Sequence, residues 1–480
     1  MVFVLGMGGT FQYGFQISVL NSPSPYIKEF INQTWIRRHG ISIPEGTQTL
    51  IWSLLVSVLS LGGIIGSTAS GYLTGAFGKK RCQICNCLLP IISSVLIGLS
   101  RTVGLYEMIL VGRFLCGINI GLGMNIHAQY LGEIAPKKLR GLINSTGPLF
   151  VTLGKLSGQI AGIREFFGTE SLWPYILVPI GIASLVQLIT LPLFPETPSY
   201  LLLHKGDKEA CVKALKQLWG DSDHQEVIDE MLSEQATKKT GNMSVLDLLR
   251  DRSQRWQIYI VINLILCLQL CGVNAIYFYA YDVFHAAGFP EEKISYVSLG
   301  IGTFEFVSAF TCTLLIDKFG RKLLLLGGLS LMALTLGLLT VALSLQDSYS
   351  WVPYCSVALV FAFIFVFGAG PAGAMVSICV EIFSQAPRVP AFVIFGYFNW
   401  VGLYIIGMIF PYMVGSLQQF CFLVFMSIIV ISGIFSFFFL PETKGKSITE
   451  ITQEFNKLNF RGGQRQSRTV NLSCAFSTRL

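Results

Sequence analysis

The chain is dominated by long apolar runs that short polar segments separate. Of its 480 residues 52% are hydrophobic and 13% are charged, which is too little polar surface for a soluble globule of this length. A helix that crosses the hydrocarbon core of a bilayer needs roughly 20 apolar residues. Such runs occupy residues 2–22, 50–76, 84–100, 106–131, 142–163, 172–193, 257–281, 294–316, 323–345, 351–380, 391–414 and 419–440. The sequence therefore predicts an all-α, polytopic membrane protein with twelve transmembrane helices.

Basic residues are concentrated in the short segments that lead from an even-numbered run to the next odd-numbered run. They are Lys79, Lys80, Arg81, Lys137, Lys138, Arg140, Lys318, Arg321, Lys322 and Arg388. Short loops rich in Lys and Arg stay in the cytoplasm, so both termini are predicted to be cytoplasmic. The sequon at Asn32 then falls in the first external loop and is predicted to accept a glycan.

One polar segment, residues 195–256, interrupts the series of apolar runs. Within it, residues 208–219 place Cys211, Leu215 and Trp219 at helical spacing, with lysines on the other side. The stretch from Ser244 to Asp247 resembles a helix-capping box. We therefore predict a cytoplasmic linker of short helices between two membrane units.

Three motifs recur in the same order in the two halves of the chain. Phe77-Gly78-Lys79-Lys80 returns as Phe319-Gly320-Arg321-Lys322, Glu133-Ile134 as Glu381-Ile382, and Pro195-Glu196-Thr197 as Pro441-Glu442-Thr443. This repetition indicates a duplicated six-helix unit, an architecture that transporters use. The predicted division is 1–194 and 257–440 for the two bundles, 195–256 for the linker and 441–480 for a cytoplasmic tail. Ion pairs among the repeated basic and acidic residues are predicted to lock the bundles while the inner face is closed, and to break when it opens.

The seventh apolar run is interrupted by the polar residues Gln269 and Asn274 and by Gly272. Inside a bilayer such amides face either a bundle interior or an aqueous cavity. They can line a substrate path, or they can hold neighbouring helices together. The residues alone leave these two interpretations open.

Several motifs together carry a family resemblance. They are Gly112-Arg113, Glu133-Ile134-Ala135-Pro136, PETPS at 195, QLCGVN at 269, DKFGRK at 317, EIFSQAPR at 381 and PETKGK at 441. Their order resembles the sugar porter family of the major facilitator superfamily. The stretches TFQYG at 10 and NSP at 21 resemble the class II facilitative hexose transporters, the branch that includes fructose and urate carriers. The resemblance implies uniport of fructose and/or glucose by alternating access, with a urate uniporter or a proton-coupled sugar symporter as alternatives.

The resemblance also implies two sets of functional residues. Amides both donate and accept hydrogen bonds without adding charge, which suits a neutral polyol. The implied substrate contacts are Gln159, Gln269, Asn274, Glu305, Glu381, Asn399 and Trp400. The implied gating residues of the inner-face ion pairs are Arg113, Glu133, Arg140, Glu196, Asp317, Arg321, Arg388 and Glu442.

Energy coupling depends on the first run. Proton-coupled relatives of the family carry an aspartate at the position of Gln16, which pairs with an arginine at the position of Arg113. Gln16 cannot exchange a proton, so uncoupled transport is predicted and Arg113 should be held by other polar groups or face water. Glu305 stands where the family usually has a neutral residue. It is either a substitute coupler or an acid paired with a neighbouring donor.

Two other features of the sequence do not indicate a catalytic or cofactor site. Residues 368–373 match G-x-G-x-x-G but lie inside an apolar run, which favours a broken helix over a dinucleotide site. His127 is predicted to be a packed core residue. No enzyme activity, metal, cofactor or nucleic-acid partner is predicted. The expected partners are a hexose and the lipid bilayer, the expected location is the plasma membrane, and the oligomeric state is left open.

Overall fold

The computed structural model describes residues 1–134, 140–221, 224–229, 231–232, 244–286, 288–346, 348–383, 385–446 and 448–459. Within these ranges the regular structure is helical and no strand occurs. Nine helical stretches of the described part are long and apolar enough to cross a membrane. One of them, residues 390–439, contains two of the predicted spans. Together with the helices of the first and fifth runs, they form the predicted twelve-helix membrane fold.

The N-terminal bundle contains the first six predicted spans. The first span is divided at Gly9, and a further helix lies in the connection between the first and second spans. The helices of this bundle are α1 (Val2–Gly8), α2 (Thr10–Ser18), α3 (Ser24–His39), α4 (Glu45–Phe77), α5 (Lys79–Asn86), α6 (Leu88–Val103), α7 (Glu107–Ile134), α8 (Arg140–Ala161) and α9 (Val178–Thr190).

The linker contains the short helices that the sequence predicted. They include α10 (Pro198–Leu203), α11 (Lys208–Trp219) and α12 (Val245–Arg250). Cys211 and Leu215 are fully buried in a small apolar cluster, while the indole of Trp219 donates to the carbonyl oxygen of Ile134 over 2.8 Å. The capping box at Ser244 forms both of its expected hydrogen bonds. The linker is thereby fastened to the end of α7.

The C-terminal bundle contains the remaining six spans and is followed by a short helix. Its helices are α13 (Arg255–Leu270), α14 (Val273–Ala286), α15 (Glu291–Phe319), α16 (Arg321–Ser344), α17 (Val352–Ala369), α18 (Pro371–Glu381), α19 (Gln385–Leu417) and α20 (Cys421–Phe439), with α21 (Ile448–Asn459) after them. We call the end of both bundles that carries Lys79 and Arg321 the basic end, and the other the opposite end.

Two spans of the C-terminal bundle are broken at glycines. Gly272, with φ of +102°, separates α13 from α14, and a Cβ there would lie 2.8 Å from the ring of Phe425. Gly370 separates α17 from α18, which confirms the broken helix expected at residues 368–373. Irregular backbone inside a membrane is tolerated where protein or a cavity surrounds it.

Two glycines at matching positions of the bundles share one unusual backbone geometry. Gly78 has φ 87° and ψ 156°, and Gly320 has φ 88° and ψ 163°, a region that is open essentially to glycine alone. A carboxylate receives the amides that follow each glycine. Glu196 accepts from the amide of Lys80 over 3.0 Å, and Glu442 accepts from the two amides after Gly320, each over 3.1 Å. The duplication predicted from sequence therefore extends to the conformation of this turn.

Gly78→Ala and Gly320→Ala are each expected to lower the free energy of unfolding by about 1–3 kcal/mol, the usual cost of a strained backbone position. The added Cβ would also lie 2.7 Å from an oxygen of Glu196 or 3.1 Å from one of Glu442. The measurement is unfolding of the purified protein in mixed micelles titrated with denaturing detergent.

Gly75→Ala and Gly327→Ala are the matched controls, because a Cβ at either position meets no atom within 4 Å. Alanine is the better helix former, so both controls should keep or raise stability. Equal stability of Gly78→Ala and Gly75→Ala would contradict the interpretation of the turn.

Candidate functional site

Three of the predicted substrate contacts form one chain of hydrogen-bonded amides. The Nε2 atom of Gln269 donates to Oδ1 of Asn399 over 2.6 Å, and Nδ2 of Asn274 donates to Oε1 of Gln269 over 2.6 Å. The break at Gly272 turns the chain between Gln269 and Asn274, so that two residues of one span can meet. Amides in such a cluster can exchange partners with the hydroxyl groups of a ligand.

Trp400 connects this cluster to the N-terminal bundle. Its indole N–H donates to the hydroxyl of Ser67 over 2.8 Å, and its ring meets that of Tyr13 edge to face at 5.7 Å. A Cβ on Gly63 would lie 2.4 Å from the indole, so only a glycine admits the ring this closely. The amide cluster therefore lies beside the seam between the two bundles.

A buried ion pair crosses the same seam. The ammonium of Lys155 on α8 lies 2.7 Å from Glu305 on α15, and each side chain is 7% exposed. The hydroxyl of Tyr277 donates to the second oxygen of Glu305, and the ammonium lies 4.3 Å from the centre of the Tyr277 ring. Glu305 thus has the neighbouring donors that a structural acid requires.

Lys155 is the site residue that sequence reasoning missed. A signal for it was present, because Lys155 is a cation in the middle of the apolar run 142–163 while Glu305 is an acid in the middle of the run 294–316. Opposite charges in two spans attract each other strongly in a medium without water. A search for opposite charges in the middle of different apolar runs would have predicted the pair of Lys155 and Glu305.

Gln159 lies one helical turn beyond Lys155 and also faces α15. Its carbonyl oxygen would lie 2.0 Å from a Cβ on Gly302, so glycine at that position makes room for the amide. This oxygen is buried and has no hydrogen-bond partner among the described residues. An unsatisfied buried acceptor is costly, and a ligand hydroxyl could satisfy it.

Glu381 does not join these residues and requires a correction. It is the last residue of α18, at the basic end, and its Oε1 atom lies 3.0 Å from Nε of Arg321. Its other oxygen accepts from the hydroxyl of Thr443 over 2.5 Å. The structure thus places Glu381 in the ion-pair set and away from the amide cluster.

The ion pairs described at the basic end connect segments of the same bundle. Lys79 pairs with Glu133 at 2.5 Å in the N-terminal bundle, and Arg321 pairs with Glu381 in the C-terminal bundle. The prediction that such pairs lock one bundle to the other while the inside is closed concerns another conformation and stays a prediction. In this conformation they fasten the ends of helices within each bundle.

Other members of the predicted gating set have different surroundings. Arg388 donates to the carbonyl oxygen of Phe383 over 3.0 Å. Burial raises the pKa of Glu442, but the amides of Lys444, Arg321, Lys322 and Thr443 outweigh it and leave the pKa below its usual value. The side chains of Arg140 and Asp317 lie outside the described residues.

Arg113 does not lie at the inner face, which corrects its assignment to the gating set. It is 1% exposed inside the N-terminal bundle. Its Nη1 atom lies 2.6 Å from the side-chain oxygen and 2.9 Å from the backbone oxygen of Gln16. The expectation that other polar groups hold Arg113 is confirmed: Gln16 supplies two acceptors, and the carbonyl oxygens of Leu55 and Val56 accept over 3.4 Å.

Polar contacts between the bundles also occur at the opposite end. Lys28 pairs with Asp282 at 3.0 Å. Asn21 donates to Ser298 over 3.0 Å and accepts from the amide of Tyr281 over 2.6 Å. These contacts join α3, α14 and α15 and the turn after α2, so the bundles are held together at this end.

His127 and the sequon at Asn32 are the two remaining sites that the sequence singled out. His127 is a buried core residue, as expected, and shares a hydrogen bond of 3.1 Å with the hydroxyl of Thr10. The sequon lies within α3, in the connection between the first and second spans. Thr34 is buried, and Asn32 accepts from the amide of Ile43 over 3.2 Å. Glycosylation of Asn32 stays a prediction.

Comparisons with known proteins agree with the motifs found in the sequence. A family profile described as "Sugar (and other) transporter" matches residues 1–455. The chain belongs to the sugar transporter family. Human solute carrier family 2, facilitated glucose transporter member 9, is 40% identical over 94% of this chain and 84% of its own length. Human member 11 is 40% identical over 95% and 92%, and human member 5 is 39% identical over 95% and 91%.

Solved structures of xylose transporters have the same fold. The inward open conformation of the xylose transporter XylE from E. coli superposes with a TM-score of 0.76 at 20% identity, covering 94% of this chain and 98% of the other. The twelve-helix fold of the sugar transporters and its multi-pass membrane topology are therefore those of this chain.

Proposed function

We propose that the protein is a uniporter that moves hexoses, fructose and/or glucose, across a membrane by alternating access. The observation that carries this proposal is the cluster of Gln269, Asn274 and Asn399 beside the seam between the bundles. Neutral amides can bond the edges of a polyol, and the Trp400 ring beside them offers an apolar face. The unsatisfied oxygen of Gln159 supplies a further acceptor from the other bundle.

The contacts between the bundles support alternating access. In this conformation Lys28 and Asp282 close the opposite end, while the pair of Arg321 and Glu381 stays within one bundle at the basic end. A carrier of this type must release one set of contacts when it forms the other. We infer that the opposite-end contacts break when the path opens to that side.

The surroundings of Gln16 and Glu305 favour uniport over proton-coupled symport. Gln16 is the side-chain acceptor of Arg113 and has no proton to exchange. Glu305 is engaged by Lys155 and by the hydroxyl of Tyr277. Gln16 therefore cannot couple transport to protons. We propose that the pair of Glu305 and Lys155 is structural, so that sugar moves only down its own gradient.

The remaining predictions of the sequence stay part of this proposal. We propose residence in the plasma membrane with both termini cytoplasmic, and bundles at 1–194 and 257–440 joined by the linker 195–256 and followed by the tail 441–480. The proposed partners are a hexose and the surrounding lipid, and no catalytic step is proposed.

Uptake by the purified full chain in liposomes tests the function. Labelled fructose or glucose is expected to equilibrate faster than in protein-free vesicles, to reverse direction with the gradient and to ignore a proton ionophore. Movement of urate without either hexose would replace the hexose assignment. Concentrative uptake driven by a pH gradient, and lost in Glu305→Gln, would replace uniport by symport.

A variant of the amide cluster tests where the sugar binds. Gln269→Ala is expected to weaken hexose affinity by a factor corresponding to about 0.5–1.5 kcal/mol, the value of one hydrogen bond between neutral groups. Gln254→Ala in the 3-10 turn before α13 is the control and should transport like the wild type. Normal affinity of Gln269→Ala at normal protein levels would remove Gln269 from the site.

A further inference from the structure

The pair of Lys155 and Glu305 places two full charges in the middle of otherwise apolar spans. Among the lysines, arginines, aspartates and glutamates of the described part of the chain, three are buried: Arg113, Lys155 and Glu305. Arg113 is held inside the N-terminal bundle by Gln16. The other two face each other across the seam, where the substrate path is proposed to run.

Local geometry connects the pair to the proposed sugar contacts. Lys155 lies one helical turn before Gln159 on α8, whose amide faces α15. Tyr277, which bonds Glu305, lies one helical turn after Asn274 on α14. The ion pair is therefore a neighbour of the amides on both sides of the seam and forms part of the same wall.

Because the two charges neutralise each other, neither is available as a counter-charge for a ligand. An ion that enters a site without water loses its hydration and must find a counter-charge there. The Lys155 ammonium is already occupied by Glu305, and the Glu305 carboxylate by Lys155 and Tyr277. A charged ligand would have to break this pair, whereas a neutral polyol can bind beside it.

We propose that the pair of Lys155 and Glu305 sets the charge of the substrate, so that the path accepts neutral hexoses and rejects anionic and cationic analogues of the same ring. This inference rests on the proposed function, which it deepens by naming the substrate class. If one residue of the pair is replaced by a neutral one, the charge of the other is left to select a charged ligand. An unpaired Lys155 makes the wall an anion site, and an unpaired Glu305 makes it a cation site.

The test compares glucose with glucuronate, an anionic hexose, and with glucosamine at a pH where its amine is protonated. Binding to the purified full chain is followed by ligand-induced thermal stabilisation, which needs no transport. Glu305→Gln is expected to bind glucuronate at least about tenfold more tightly than the wild type does, the scale of one charge-assisted hydrogen bond. Lys155→Gln is expected to gain at least about tenfold for glucosamine for the same reason.

The double variant Lys155→Gln/Glu305→Gln is the matched control and should gain for neither charged sugar. An equal gain in the double variant, or no gain in a folded single variant, would overturn the inference. If one single variant does not fold, the binding result of the other is sufficient to test the inference. Wild-type protein that binds glucuronate or glucosamine as tightly as glucose would overturn it as well, whereas wild type that binds no hexose contradicts the proposed function instead.

Discussion

Lys155→Met is expected to lower the free energy of unfolding by about 3–5 kcal/mol, because it leaves the carboxylate of Glu305 buried without its cation. The two groups lie 2.7 Å apart and each is 7% exposed, so water cannot replace the lost partner. Glu305→Gln should cost a similar amount by leaving Lys155 unpaired. The double variant Lys155→Met/Glu305→Gln should recover most of either loss, since a buried pair can be replaced by neutral groups at little cost.

The measurement is a double-mutant cycle in mixed micelles titrated with denaturing detergent. Arg38 and Glu107 provide the control pair, because their side chains are 33% and 45% exposed. Arg38→Met should change stability by about 1 kcal/mol or less, the value of a surface ion pair. If the cost of the double variant equals the sum of the two single costs, then Lys155 and Glu305 do not depend on each other.

The same pair shows where sequence reasoning reached its limit. Glu305 attracted attention because an acid in an apolar run is unusual, but Lys155 lies 150 positions away in the chain. No local pattern connects two such residues, because their contact is made by the packing of α8 against α15. The spans themselves were predictable, since each depends on a run of about 20 apolar residues.

Motif positions did not determine the depth of a residue in the membrane. The resemblance assigned Glu381 to the substrate site and Arg113 to the inner face, yet Glu381 lies at the end of α18 and Arg113 lies deep inside a bundle. Depth depends on where each helix begins and breaks. The break at Gly272 is an example, because it brings Gln269 to Asn274. The positive φ of Gly272 could not be predicted from the sequence.

Gln16→Leu is expected to lower the free energy of unfolding by about 1.5–3 kcal/mol, the value of a hydrogen bond to a charged group. The side-chain oxygen of Gln16 lies 2.6 Å from the guanidinium of Arg113, which is 1% exposed. Leucine keeps the volume but removes this acceptor. Arg113 would retain the backbone oxygen of Gln16 at 2.9 Å and longer contacts of 3.4 Å to the carbonyl oxygens of Leu55 and Val56.

Gln12→Leu is the matched control for Gln16→Leu, one turn earlier on the same helix and equally buried. Its amide donates to the hydroxyl of Ser184 over 2.8 Å, so its loss should cost only about 0.5–1.5 kcal/mol, as for neutral partners. A larger cost at Gln16 would show that its side-chain oxygen stabilises the buried charge of Arg113. Equal costs in detergent-titration unfolding would mean instead that backbone carbonyl oxygens hold the guanidinium, and that the residue at position 16 is not what keeps Arg113 in place.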